Sequence, residues 1–214
     1  MKFRLIPVTP YQQNCSLVWC EETRIAALID PGGETDHLLQ AINKEDVKLG
    51  MILLTHGHLD HVGGANQLSQ ECSVPIIGPH PDDAFLLDSL PMQAEMFGFS
   101  PTPAFRPQQW LQEGEKVDIG NICLNVVHCP GHTPGHIVFV DSVSRIAFVG
   151  DVLFNGSIGR TDFPRGNHAD LIHSIREKLF PLGDDIQFVP GHGPMSTFGH
   201  ERLSNPFVGD RAAR

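Results

Sequence analysis

From residue 3 to 29 the chain alternates β-branched and aliphatic stretches, FRLIPV, SLVW and RIAALI, with turn residues, a pattern that predicts antiparallel strands. The run DPGGE then breaks the sheet. Leu38, Leu39 and Ile42 follow at helical spacing, and KLGMILLTHG predicts a short buried strand entering a polar loop. One helix is expected from about His61 to Gln70 and another over 81–98. The proline-rich SPTPAFRPQQ reads as a surface loop, since core-like strands resume at Lys116. KVDIGNICLNVVH predicts a hairpin turning at Gly120 and Asn121, followed by strands near 136–141 and 145–149. A helix from about His168 to Leu179 places Leu171, Ile175 and Leu179 on one face. A last strand, IQFVP, leads into GHGP, a short helix and a polar tail.

Strands and helices therefore alternate in two successive halves, each with its own hairpins. This favours a layered α/β arrangement over one doubly wound parallel sheet, and leaves the topology open. At 214 residues and 41% apolar composition the chain can bury one sizeable core, so a single domain over 1–214 is expected. No apolar run approaches the roughly 20 residues of a membrane helix, and MKFRLIPVTP lacks the features of a secretory signal. A cytoplasmic protein with no membrane partner is expected. The five cysteines are scattered, without a CxxC pair, as free thiols in a reducing compartment would be, and Cys129 is read as a core residue. The formal charge of −10 argues against a nucleic-acid partner. It leaves the sign of a small substrate open, because divalent cations in a cleft would create a local positive field.

The strongest chemical signal is THGHLDH at 55–61, which carries His56, His58, Asp60 and His61. On an extended loop, side chains at i, i+2 and i+4 project to one side, so His56, His58 and Asp60 can converge while His61 begins the following helix. Such a density of nitrogen and carboxylate donors suits a borderline metal such as zinc. CPGHTPGH with His132, FVGDVLF with Asp151 and FVPGHGP with His192 repeat one design, a strand running into a glycine-bearing turn that ends on a potential ligand. Strand-then-ligand, repeated along the chain, describes a site assembled from loops on one edge of a sheet scaffold.

HxHxDH, followed in order by GHTPGH, GD and GHGP, resembles the metallo-β-lactamase-fold superfamily. Within it the pattern is similar to glyoxalase II, the hydroxyacylglutathione hydrolases, over nearly the whole chain. The resemblance implies an α/β (α+β) fold, a four-layer αββα sandwich of two mixed sheets with helices outside and the site between the sheet edges. It implies that His56, His58 and His132 bind a first metal, that Asp60, His61 and His192 bind a second, and that Asp151 and a hydroxide bridge them. Two zinc ions per chain are the expected cofactor, with iron or manganese also compatible with these donors. Asp151 in place of cysteine speaks against the zinc β-lactamases that carry a cysteine ligand in their second site. His136 is read as ordering its loop rather than as a ligand. Typical glyoxalase II enzymes have a helical C-terminal domain that contacts glutathione, whereas only a short tail follows His192. A short, single-domain branch is therefore expected.

The expected activity is dinuclear metal-dependent thioester hydrolysis, of S-lactoylglutathione in methylglyoxal detoxification, by a monomer whose partner is this small-molecule glutathione thioester. Cations sharing a water supply hydroxide near neutrality and polarise the carbonyl, and a thiol with a pKa near 8.5 leaves without a strong general acid. Asp60 is given a mixed role, holding its metal and orienting the hydroxide. Asp30 either accepts from a ligand histidine and fixes its tautomer or caps the glycine turn. Arg160, in the glycine-rich loop after Asp151, either forms a bidentate pair with a substrate carboxylate or pairs internally, and Arg165 is read as a surface residue. The rival activity is a mononuclear iron persulfide dioxygenase of the same fold, whose loop resembles GRTDF and for which His56, His132 and Asp151 would serve. A non-catalytic relative would be expected to have lost a ligand, and none is missing here.

Overall fold

Alternate residues of single strands face different layers in the computed structural model, which describes residues 1–212. Strands β1 (Lys2–Val8), β2 (Gln13–Trp19) and β3 (Ile25–Ile29) pair antiparallel in chain order, as the turn spacing predicts. Helix α1 (Thr35–Glu45) then carries the chain to β4 (Lys48–Leu53), and α2 (Leu59–Val62) with α3 (Ala65–Cys72) to β5 (Ile76–Ile77). Because a helix intervenes each time, β4 and β5 join in parallel, giving a mixed sheet in the order β1-β2-β3-β4-β5.

After α4 (Ala84–Asp88), α5 (Leu90–Phe97) and an extended proline-rich loop, β6 (Lys116–Ile119), β7 (Ile122–His128), β8 (Ile137–Asp141) and β9 (Ile146–Gly150) form an antiparallel meander. A small hairpin, β10 (Leu153–Phe154) and β11 (Ser157–Ile158), and helix α6 (His168–His173) precede β12 (Gln187–Pro190), which adds in parallel to β9. Strand β13 (Ser196–Thr197) and helix α7 (Phe198–Ser204) close the second sheet, ordered β13-β12-β9-β8-β7-β6.

The layers follow from the period-two alternation. Ala27 and Ile29 of β3 pack in one cluster with Leu124, Phe139 and Phe148 of the second sheet, whereas Ala26 and Leu28 pack with Leu38 and Ile42 of α1 and Leu68 of α3. In β8, Ile137 and Phe139 face the first sheet, and Val138 and Val140 face Leu171 and Ile175. Two mixed sheets thus lie face to face with helices outside both, the αββα sandwich the resemblance implies. Each fully buried Leu or Phe contributes about 1.5–3 kcal/mol to holding the layers together.

Two helices are shorter than their patterns predict. The one expected over 61–70 is broken at Gly63 and Gly64, because the Gly64 N–H donates to the Pro31 carbonyl at 2.9 Å instead of back into its own helix. A Cβ on Gly32 would lie 1.6 Å from the Asp60 carbonyl oxygen, so the DPGG turn and the ligand loop touch through backbone alone. The helix expected over 81–98 becomes a tight turn at Pro81–Asp83 followed by α4 and α5, since Pro91 has no N–H to continue across Ser89. Helix α6 widens into a π-type turn over Ser174–Leu179, and Leu171, Ile175 and Leu179 are all buried as their spacing predicts. All five cysteines are free, Cys129 is buried in the outer core, and no described helix is long and apolar enough to cross a membrane.

Candidate metal centre

Strand direction explains why distant residues meet. Strands β7 and β9 both pair antiparallel with β8, and β12 runs parallel to β9, so the C-terminal ends of β7, β9 and β12 lie along one edge of their sheet. His132, Asp151 and His192 follow those ends, and the loop after β4 brings His56 to His61 against them. Backbone bonds fasten the loops together: Ile137 N–H donates to Thr55 O at 2.8 Å, Gly191 N–H to Gly150 O at 2.7 Å, and Asn14 N–H to Gly191 O at 2.7 Å.

The donor atoms form two triads. His58 Nδ1 lies 3.1 Å from His56 Nε2 and 3.0 Å from His132 Nε2. Asp60 Oδ2 lies 3.2 Å from His192 Nε2 and 3.8 Å from His61 Nε2. Asp151 stands between them, Oδ1 3.4 Å from His61 Nε2 and Oδ2 3.6 Å from His132 Nε2 and 3.7 Å from His192 Nε2. These separations suit a tetrahedral cation, whose ligands at about 2.0–2.1 Å are about 3.3 Å apart. The Nε2 of His61 and Oδ1 of Asp151 are buried without a hydrogen-bond partner, as atoms aimed at a cation would be.

The outer nitrogens set the tautomers. His61 Nδ1–H donates to Asp30 Oδ2 at 3.0 Å, His132 Nδ1–H to the Arg160 carbonyl at 2.7 Å, and His192 Nδ1–H to the Tyr11 carbonyl at 3.1 Å. The Thr55 hydroxyl donates to Asp30 Oδ2 at 2.6 Å and accepts from His56 Nδ1–H at 3.0 Å. Each of these rings therefore turns an Nε2 lone pair inward. Of its two expected roles Asp30 takes the first: its carboxylate accepts from His61 and from Thr55, which holds His56, and makes no hydrogen bond to the glycine turn.

Burial pushes His58 down to about 3 and His56 well below the usual histidine value, so the first triad is neutral and ready to donate. Burial opposes charge on His61 too, yet Asp151 and Asp60 hold its pKa well above the ordinary value. Asp151 is held well below the carboxylate range by His61 and neighbouring histidines, against the effect of its burial. A divalent cation would displace the proton that Asp151 and Asp60 favour on His61, leaving two carboxylates among neutral imidazoles to offset its charge.

His136 aims no donor into the cluster. Its Nε2 accepts the Asp151 N–H at 3.0 Å while its ring stacks on His56 at 4.6 Å. His80, Asp82 and His128 also bring donors within 4.8 Å of one another, but the two rings stack 14° from parallel, so their lone pairs run side by side rather than converge. Arg160 lines a cleft of about 790 Å³ above the triads, with Tyr11, Phe97, Phe154 and Phe163. Its guanidinium donates to both oxygens of Asp162, at 2.9 and 2.7 Å, and lies over Phe163. Arg165 instead donates to the Asp82 carbonyl. Motif reading missed Thr55 as the link from Asp30 to His56, and Asp83, a buried carboxylate touching both histidine loops. Thr55 opens THGH and was open to suspicion, whereas nothing in PDD marks Asp83.

The metallo-beta-lactamase superfamily profile matches residues 8–192. The hydroxyacylglutathione hydrolase GloC of Haemophilus influenzae is 52% identical over 213 residues, covering 99% of this chain and all of that one. Among solved structures, the BLEG-1 B3 metallo-beta-lactamase has a TM-score of 0.89 at 33% identity, covering 97% of this chain and 99% of its own. TTHA1623 in a di-iron-bound form has a TM-score of 0.86 at 36% identity, covering 95% of this chain and 99% of its own. His/Asp clustering in this fold indicates a divalent-metal site.

Proposed function

The chain belongs to the metallo-beta-lactamase superfamily, and we propose that it is a dinuclear, zinc-dependent thioester hydrolase. Its substrate in this reading is hydroxyacylglutathione, specifically S-lactoylglutathione, cleaved to glutathione and a 2-hydroxy acid in cytoplasmic methylglyoxal detoxification. That it is a hydrolase follows from the family and from its likeness to the Haemophilus enzyme. Asp151 is the observation that carries the two-ion reading: its carboxylate faces His61 with one oxygen and His132 and His192 with the other. One ion would need only one triad. The di-iron-bound form of a 36% identical chain supports the same stoichiometry.

When bound, such cations acidify water and polarise a carbonyl. Asp60 lines the cleft as well as reaching His192, so it can hold its ion and orient the attacking water. Asp151 stays ionised and spaces the triads. A thiol leaving group with pKa near 8.5 needs no strong acid to depart, which suits a site whose titratable groups face the ions. Arg160, on the cleft wall, takes a carboxylate of the thiol carrier in exchange for Asp162. The partner is this small molecule, and the chain acts as a monomer.

One purified preparation tests the reading. Two equivalents of zinc and S-lactoylglutathione hydrolysis that disappears on chelation are expected. Oxygen uptake with glutathione persulfide and no hydrolysis would select a mononuclear iron dioxygenase using His56, His132 and Asp151. β-Lactam cleavage alone would replace the substrate class.

A further inference from the structure

Asp83 is a carboxylate with no measurable exposure, in no motif and outside both triads. Its Oδ2 accepts the Gly57 N–H at 2.9 Å and the Thr133 hydroxyl at 2.8 Å, and its Oδ1 accepts the Gly135 N–H at 2.6 Å. Gly57 separates His56 from His58, and Thr133 follows His132. The side chain therefore ties together the two loops that supply the whole first triad. Its backbone adds to the strap: Asp83 N–H donates to the His80 carbonyl at 3.1 Å, and His80 N–H to the Gly135 carbonyl at 3.2 Å.

The glycines give a second, independent sign that both loops are seated on this residue. A Cβ on Gly135 would fall 2.5 Å from Asp83 N and 2.7 Å from Asp83 Cγ. One on Gly57 would fall 2.8 Å from Leu86 Cβ and 3.3 Å from the Asp83 carbonyl oxygen. A side chain is excluded at either glycine, so the backbone of both loops packs directly against Asp83 and its neighbour Leu86. The second triad is braced elsewhere, His61 by Asp30 and His192 by the Tyr11 carbonyl.

We propose that Asp83 is a positioning residue that sets the spacing of His56, His58 and His132, and so controls the affinity of the first metal position selectively. The proposal deepens the two-ion reading and rests on it only for the number of ions. A buried carboxylate holding three donors fixes two loops relative to one another without touching the ion, and losing such an outer contact weakens metal binding by roughly 10- to 100-fold.

Competition for zinc against a chromophoric chelator tests this on the full-length protein, comparing wild type with Asp83→Asn, the milder Thr133→Val and the control Glu201→Gln. Glu201 is as buried as Asp83 and also holds several donors, from Gly156, Ser196 and Asn205, away from the ligands. Asp83→Asn is expected to weaken one equivalent roughly 10- to 100-fold and leave the other unchanged. Thr133→Val should weaken the same equivalent less, and Glu201→Gln should weaken neither. An unchanged isotherm for Asp83→Asn, or equal weakening of both equivalents, overturns the proposal. A wild type that takes up one zinc would sink the two-ion reading alone. Asp83→Asn must then still weaken that single ion, and unchanged affinity overturns the proposal in that case too.

Discussion

The carboxylate of Asp30 lies 3.0 Å from Nδ1 of His61, and the same oxygen accepts the hydroxyl through which Thr55 holds His56. One turn residue thus sets the tautomers of a ligand in each triad. Asp30→Asn keeps the shape and removes the charge, so both metal equivalents should weaken, by roughly 10- to 100-fold. Chelator competition reads this directly. Weakening of one equivalent alone would show that Asp30 serves a single triad.

Gly191 packs where no side chain fits. A Cβ there would lie 2.1 Å from Asp151 Oδ1 and 2.6 Å from His61 Cε1. Gly191→Ala must push the Asp151 carboxylate aside, and bound metal measured by elemental analysis should fall below wild type while the circular dichroism spectrum is kept. Full metal content would mean that Asp151 has room to move without consequence.

Burial pushes the Asp83 carboxyl up to about 6, against its hydrogen bonds from Thr133, Gly57 and Gly135. A folded-state pKa above the unfolded value of about 3.9 means that folding favours the protonated form. The associated stability is complete below about pH 4 and is lost as pH rises through about 6, some 3 kcal/mol in all. Asp83→Asn carries no such titration. In metal-stripped protein, the unfolding free energy of wild type relative to this variant should therefore fall between pH 4 and 7, and a pH-independent difference would contradict the assignment.

Arg160 and Asp162 should act in opposite directions. Arg160→Ala removes the proposed carboxylate contact and is expected to raise KM for S-lactoylglutathione roughly two- to fivefold, the range for an exposed ion pair. Asp162→Ala frees the guanidinium and should lower KM. Equal KM values in all three proteins would remove Arg160 from substrate binding.

The segments ending in His56, His132, Asp151 and His192 each announced a strand that stops at a ligand-type residue, whereas β3 and β8 are apolar at nearly every position and read as buried strands without revealing which face meets which layer. That much was legible because strand burial and ligand chemistry are carried by side chains. The rest was not. The Tyr11 and Arg160 carbonyls that orient His192 and His132 are backbone atoms, which any residue supplies. The break at Gly64 depends on the Pro31 carbonyl and is invisible to a local helical pattern. Asp83 matters through its contacts with residues 57, 133 and 135, a juxtaposition that only the fold creates.

Anomalous scattering at the zinc edge, recorded from zinc-loaded crystals, tests the central claim most directly. Two peaks about 3.5–4 Å apart are expected, one among His56, His58 and His132, the other among Asp60, His61 and His192, with Asp151 reaching both. A single peak confined to one triad, or none at the cluster, would contradict it.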